Sequence, residues 1–168
     1  MLLHQTPRLV LRPLTTGDAD VIRELFNDAS FLRFVGDRGV RTSEQARLYI
    51  ESGPLASYAC RGFGLNLVEL KATGEAVGIC GLLQRDELPA PDLGFALLPR
   101  FRSQGYAFEA AEAVLAHARH TLGLERVLAI TSPDNAASIK ILERLGFRFD
   151  RLVRLSAAGA DLKLFQLT

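Results

Sequence analysis

The run Arg102-Ser103-Gln104-Gly105-Tyr106-Ala107-Phe108 carries the most readable chemistry in this chain. It separates a strand-like segment, Asp92 to Leu98, from a helix-like segment that extends to about His120. Such a junction leaves the first N–H groups of the helix unpaired and pointing one way, and the helix dipole adds partial positive charge there. That combination holds phosphate. Gly105 has no Cβ to keep an anion off the backbone, and Ala107 is the next smallest choice. The turn therefore suits a diphosphate-bearing ligand, although an ordinary strand-to-helix loop would have the same outline.

A second polar group heads the segment Asn135 to Phe147. Pro133 precedes it, Asp134 or Asn135 can cap a helix, and Gly146 is placed to end that helix in the left-handed conformation. Ser138, Ile141, Leu142 and Leu145 share one face, with Asn135 one turn before Ser138 on nearly the same side. Polar groups at the head of an apolar stripe need partners if they are buried. A ligand lying along this face would supply them.

The two segments together resemble the GCN5-related N-acetyltransferase (GNAT) superfamily. Its phosphate motif, Gln/Arg-x-x-Gly-x-Gly/Ala, is matched by Arg102, Gly105 and Ala107. The resemblance extends to the ribosomal-protein N-terminal acetyltransferase branch. Gly105-Tyr106-Ala107-Phe108-Glu109-Ala110 matches its "GYATEA"-like run, and Asn135, Ser138 and Leu145-Gly146-Phe147 match its Asn-x-x-Ser and "LGF" ending. Thr6-Pro7-Arg8-Leu9-Val10-Leu11-Arg12 matches its opening.

The resemblance implies acetyl-CoA as co-substrate, and a small-molecule amine or peptide N-terminus as acceptor. The pyrophosphate would lie on the N–H groups of Ser103, Gly105, Ala107 and Phe108, within a cofactor site that includes Arg102 and Tyr106. The pantetheine arm would pair with the backbone of Phe95 to Leu98, and the N–H of Leu97 or Leu98 would face the thioester carbonyl. Asn135 would bind pantetheine or position the amine. Lys140 either reaches the 3′-phosphate or is solvated. The family's usual proton donor, a Tyr four residues before the glycine, is replaced by Leu142, so Ser138 becomes the candidate donor to the leaving thiolate. Its alternative role is a helix-start hydroxyl bonded to the preceding turn. Asp92, where the branch often has Glu, is the candidate base, or merely the start of a strand. Glu69 is the second candidate base, its direction depending on register. The amine could also arrive already deprotonated, with no dedicated base.

These residues need a scaffold. The patterning predicts a strand at Arg8 to Pro13, a helix from Gly17 to about Asn27, and a second helix opened by the capping box Thr42 to Gln45 and broken or kinked at Gly53-Pro54. Strands follow at Phe63–Lys71, Glu75–Arg85 and Asp92–Leu98, then the phosphate turn and its helix. A strand at Arg126–Thr131, the Asn135 helix and strands at Arg148–Leu155 and Asp161–Leu167 close the chain. The order β-α-α-β-β-β-α-β-α-β-β is that of an α/β protein with a mixed, largely antiparallel twisted sheet flanked by helices, and it matches the GNAT order. The chain has 168 residues, which reads as a single domain over 1–168.

A net charge of +1 with scattered Lys and Arg gives no nucleic-acid or membrane surface. There is no apolar run of membrane length and no signal-peptide pattern, which points to the cytoplasm, as monomer or homodimer. Cys60 and Cys80 have no metal-ligand or redox spacing and read as reduced, mostly buried thiols. His117 and His120 read as surface residues. Phe31, Phe34 and Tyr49 either line the acceptor site or belong to the core. Two alternatives remain: a non-catalytic acyl-CoA-binding module, and a nucleotide- or nicotinamide-binding protein. The second lacks Gly-x-Gly-x-x-Gly and the acidic ribose contact.

Overall fold

The computed structural model describes residues 4–168. Among the described residues eight strands form one sheet: β1 (His4–Gln5), β2 (Leu9–Pro13), β3 (Leu65–Leu70), β4 (Ala76–Leu83), β5 (Asp92–Leu97), β6 (Val127–Thr131), β7 (Arg148–Val153) and β8 (Leu162–Leu167). The helices are α1 (Ala19–Phe26), α2 (Ala29–Phe34), α3 (Ser43–Ile50), α4 (Ala56–Arg61), α5 (Tyr106–His120) and α6 (Ala136–Arg144). The spatial order is β1-β2-β3-β4-β5-β6-β8-β7. Every neighbouring pair is antiparallel except β5 and β6. This is the mixed, mostly antiparallel α/β sheet expected from the sequence. No helix among the described residues is long and apolar enough to cross a membrane.

Alternation along the strands sets the two faces of the sheet. On β4, Ile79 and Leu83 face the layer that holds Phe26 of α1 and Tyr49 of α3, while Leu82 faces Val114 of α5. Helix α5 comes close because its sheet-facing residues Ala107, Ala110, Ala111 and Ala118 are small and buried. Two β4 glycines permit equally close strand contact. A Cβ on Gly78 would lie 2.1 Å from the Ala96 carbonyl oxygen, and one on Gly81 the same distance from that of Gly64.

The region between β2 and β3 differs from expectation. Helix α2 was not anticipated; the α-helix opened at Thr42 is interrupted around Gly53-Pro54, as expected, but the chain stays helical beyond it. The chain widens into a π-type turn at Glu51–Leu55 and continues as α4 to Arg61. Pro54 has no N–H to donate, and its ring would strike the carbonyl four residues back; a wider turn accommodates both defects. The Thr42 capping box forms as expected, with Thr42 Oγ1 accepting from the Gln45 N–H at 3.1 Å.

Two further expectations need correction. Cys60 is exposed, since it falls on the outer side of short α4; Cys80 is buried, which pushes its thiol pKa up. His117 is half-buried, with its ring centroid 4.4 Å from that of His4, beside a cavity of about 510 Å³ on the α5 face. Burial lowers the pKa of both histidines.

Candidate active site

The phosphate turn has an unusual backbone. Ser103 has φ +62° and Gly105 φ +85°, two left-handed residues within three positions. Gly105 is the N-cap of α5 and brings no side-chain cap. The first helical bond there runs from the Glu109 N–H to the Gly105 carbonyl, so the N–H groups of Tyr106, Ala107 and Phe108 have no helical acceptor. A Cβ on Gly105 would stand 3.2 Å from Arg8 Nη2 and strain the backbone.

The opening residues of the chain hold this turn from behind. Arg8 Nη1 donates to the Gln104 carbonyl at 2.9 Å and its Nε to Glu109 at 2.8 Å, while its guanidinium lies 4.4 Å from the Tyr106 ring centroid. Thr6 Oγ1 donates to the same Glu109 carboxylate. Burial alone would raise the Glu109 pKa, but bonds from Thr6 and Arg8 hold it below the ordinary value.

Arg102 needs a different reading from the one its motif invites. Its Nε and Nη2 donate to the Leu97 carbonyl at 3.1 and 2.9 Å, Nη1 to Ser30 Oγ at 3.2 Å, and Nη2 to Asp28 at 2.6 Å. The guanidinium is a strut between β5 and α2, committed to protein acceptors. Asp28 also caps α2, accepting from the N–H groups of Ser30 and Phe31. Burial would raise its pKa, but Arg102 and these N–H groups hold it low.

Next to this turn the sheet opens. β5 and β6 are joined through a single residue pair, Asp92 with Leu128, and diverge beyond it. The Leu98 N–H donates to the Val77 carbonyl at 2.9 Å, so it points toward β4 and is not available to a thioester. Antiparallel alternation turns the N–H groups of Phe95 and Leu97 the other way, into the gap. Of the two backbone donors considered for the thioester, only Leu97 faces the ligand side; Phe95 joins it there.

Two cavities occupy the gap. One, of about 560 Å³, runs from the phosphate turn past Phe95, Ala96 and Leu97 to α6, where Lys140 and Arg144 line it. Arg144, which the sequence reading did not single out, stacks 4.3 Å from the Phe108 ring centroid. Its spacing four residues after Lys140 on one helix was the available signal. The second cavity, of about 390 Å³, lies toward α1 and α3 and contains Asp92 and Arg85. Phe31, Phe34, Phe95, Ala96, Asn135 and Ser138 line both, so the cavities meet there.

At that meeting point Asn135 Oδ1 accepts from the Ser138 N–H at 3.3 Å. The cap uses the serine's backbone; its hydroxyl has no hydrogen-bond partner among the described residues. Asp92 is 1% exposed, and Arg85 Nε donates to both of its oxygens at 3.2 Å. Burial pushes the Asp92 carboxyl pKa up, and the Arg85 charge opposes it. Phe31 and Tyr49 are wall and core at once, packing on Phe26 with ring centroids 4.5 and 4.8 Å away. Glu69 is not brought to the site. It pairs with Arg12 at 3.0 Å on β3, two strands from β5, and lines neither cavity.

Helix α2 spans the gap. Asp28 and Ser30 hold Arg102 on the β5 side. On the β6 side, Ser132 Oγ donates to the Phe34 carbonyl at 3.1 Å, and Arg33 pairs with Asp134 at 3.2 Å.

Comparison with known proteins bears on the family and the fold. The Acetyltransferase (GNAT) domain family matches residues 8–148. The chain is 29% identical over 153 residues to the uncharacterized N-acetyltransferase YoaA of Bacillus subtilis (strain 168), covering 89% of this chain and 85% of that protein. The crystal structure of the acetyltransferase from Agrobacterium tumefaciens str. C58 superposes with a TM-score of 0.84 at 27% identity, covering 100% of this chain and 95% of that one. RimL, a ribosomal L7/L12 alpha-N-protein acetyltransferase solved in complex with coenzyme A, superposes with a TM-score of 0.83 at 16% identity over 99% and 97% of the two chains, a likeness of fold. With the family match spanning most of its length, the chain belongs to the GNAT family of acetyltransferases.

Proposed function

We propose that this protein transfers an acetyl group from acetyl-CoA to a primary amine within a ternary complex. The observation that carries the reading is the meeting of two cavities at the unpaired edge of β5, one reached from the phosphate turn and the other lined by aromatic residues. The residues fit the co-substrate. The turn offers three helix-start N–H groups, Phe95 and Leu97 offer strand-edge donors, and a cavity of about 560 Å³ falls within the usual range for ligand sites. Lys140 and Arg144 supply cations beside it.

When bound, acetyl-CoA supplies the acetyl group as a thioester. Leu97 lines only the phosphate-side cavity, whereas Phe95 lines both. The Leu97 N–H would therefore pair with the pantetheine arm, and the Phe95 N–H would hold the thioester carbonyl oxygen. One such donor contributes about 3–4 kcal/mol to the transition state. The amine nitrogen gains the acetyl carbon and loses a proton, and the departing sulfur gains one. Ser138 Oγ, unbonded and at the junction, is placed to deliver that proton.

Asp92 starts β5 three residues before Phe95, which is about 10 Å along a strand. That is beyond direct reach of the attacking nitrogen. The cavity itself favours the neutral amine, because its apolar walls and the guanidinium groups of Arg85 and Arg38 both disfavour an ammonium ion.

Thermal unfolding with acetyl-CoA and NAD in parallel tests the donor site. Acetyl-CoA at about 100 times its Kd should add about 2.7 kcal/mol, or about 5–10 °C, while NAD does nothing. Thiol release with an amine panel then tests catalysis. A shift without thiol release from any amine would mark a binding module, and no shift would reject the donor assignment.

A further inference from the structure

Arg85 uses only its Nε on Asp92; its two Nη groups have no protein acceptor among the described residues. Its side chain is 24% exposed, at the wall of the acceptor cavity, and the buried Asp92 carboxylate fixes its orientation. A guanidinium held by one edge and open at the other is built to receive a planar anion. Arg38 is a second cation on the same wall and forms no ion pair among the described residues; its neighbour Asp37 is taken by Arg41.

The rest of the wall narrows the occupant. Phe26, Phe31, Tyr49, Leu65 and Ile79 present apolar surface, and Asp92, the one carboxylate there among the described residues, is already committed. A polyamine or aminoglycoside would bring several ammonium groups against two guanidinium groups with no free acid to receive them. The about 10 Å between Asp92 and Phe95 also separates anion from amine, so the two do not share one carbon.

Building on the N-acetyltransferase reading, we infer that Arg85, positioned by Asp92, binds the anionic end of the acceptor, and that the acceptor is a primary amine on a flat or apolar body with a carboxylate at its far end. A cavity of about 390 Å³ sits at the small end of ligand sites, which fits a small molecule of this kind. In this arrangement Asp92 is a positioning residue: it holds the guanidinium that holds the substrate.

Thiol release with 4-(aminomethyl)benzoate, benzylamine and spermidine tests the inference, together with calorimetry of 4-methylbenzoate on the protein–coenzyme A complex. The carboxylated amine should show kcat/KM about ten- to a hundred-fold above benzylamine, as a charge-assisted pair predicts. Arg85→Gln should bring the two rates together by raising KM for the carboxylated amine, and should abolish 4-methylbenzoate binding. Should that variant fold poorly with Asp92 left unpaired, Arg85→Met combined with Asp92→Leu removes both charges and must lose the same preference. Equal rates in the wild type, a preference for spermidine, or no 4-methylbenzoate binding would overturn the anion site and leave acetyl transfer standing. Arg85-dependent 4-methylbenzoate binding without thiol release from any amine would support the anion site and overturn acetyl transfer.

Discussion

Arg102→Gln separates a strut from a phosphate contact. The substitution removes four hydrogen bonds, two to the Leu97 carbonyl, one to Ser30 and one to Asp28. Bonds to charged groups contribute about 1.5–3 kcal/mol each when buried. Here the two side chains are 35% and 13% exposed, so solvent screening reduces that figure. Asp28 also keeps its bonds to the Ser30 and Phe31 N–H groups. The net loss is then about 2–4 kcal/mol, which lowers Tm by about 5–12 °C in a domain of this size. Differential scanning calorimetry of Arg102→Gln, Asp28→Asn and the double variant should show the single losses failing to add, with a coupling of about 1–2 kcal/mol. Binding of acetyl-CoA should weaken only a few-fold, with its salt dependence unchanged. If the two substitutions add, Tm moves by less than about 2 °C, and acetyl-CoA affinity falls more than ten-fold with a flatter salt dependence, the guanidinium serves the phosphates and the reasoning is wrong.

Ser138→Ala should lower kcat about a hundred-fold with little change in KM for acetyl-CoA, in the range for losing a general acid; an unchanged kcat would leave Ser138 as a helix-start residue only. Gly105→Ala should destabilise by about 1–2 kcal/mol, because φ is +85° and the new Cβ meets Arg8 at 3.2 Å, and should weaken acetyl-CoA binding in a fluorescence titration. Asp92→Asn tests base against positioning residue: a base would cost about 10²–10⁴ in kcat for every amine and remove the acidic limb of the pH profile, whereas the positioning role predicts a rise in KM confined to carboxylated amines. Asp28 and Glu109 have folded pKa values below their unfolded ones, so the stability they contribute is complete above about pH 4–5 and is lost as pH falls through the folded values. Urea midpoints between pH 3 and 6 should drop on the acid side, less steeply in Asp28→Asn.

What the sequence disclosed was local in its physics. The N-cap glycine of the phosphate turn, the Asn135 cap and the left-handed Gly146 depend on residues within one turn of each other, and alternation located β2 to β8 to within two residues, whereas the two-residue β1 was not anticipated. Helix α2 was missed because six residues carry too few turns for a periodic signal, and because its capping aspartate is completed by Arg102, 74 positions away. The direction of Glu69 was not legible because it depends on register, and β3 carries a register shift at Val68/Glu69. The same holds for Leu98: whether a backbone N–H faces the neighbouring strand or the ligand is decided by pairing with β4, which no residue type announces. Arg85 and Asp92 lie seven positions apart across a proline-rich loop, and only the return of the β4–β5 hairpin, which pairs Leu83 with Asp92, makes them partners.

The opening of the sheet is a liability that α2 manages. One residue pair joins β5 to β6, so nothing in the ladder sets the width of the gap below it. Unpaired strand edges attract other strands or collapse together unless something covers them. α2 grips both sides, with Asp28 and Ser30 on Arg102 and Phe34 and Arg33 on Ser132 and Asp134. It also contributes Phe31 and Phe34 to both cavities. The helix that fixes the spacing of the two walls is therefore part of the surface on which both substrates rest. A change in α2 that loosens either grip should weaken donor and acceptor binding together, whereas a change confined to Arg85 or to the phosphate turn should weaken one of them.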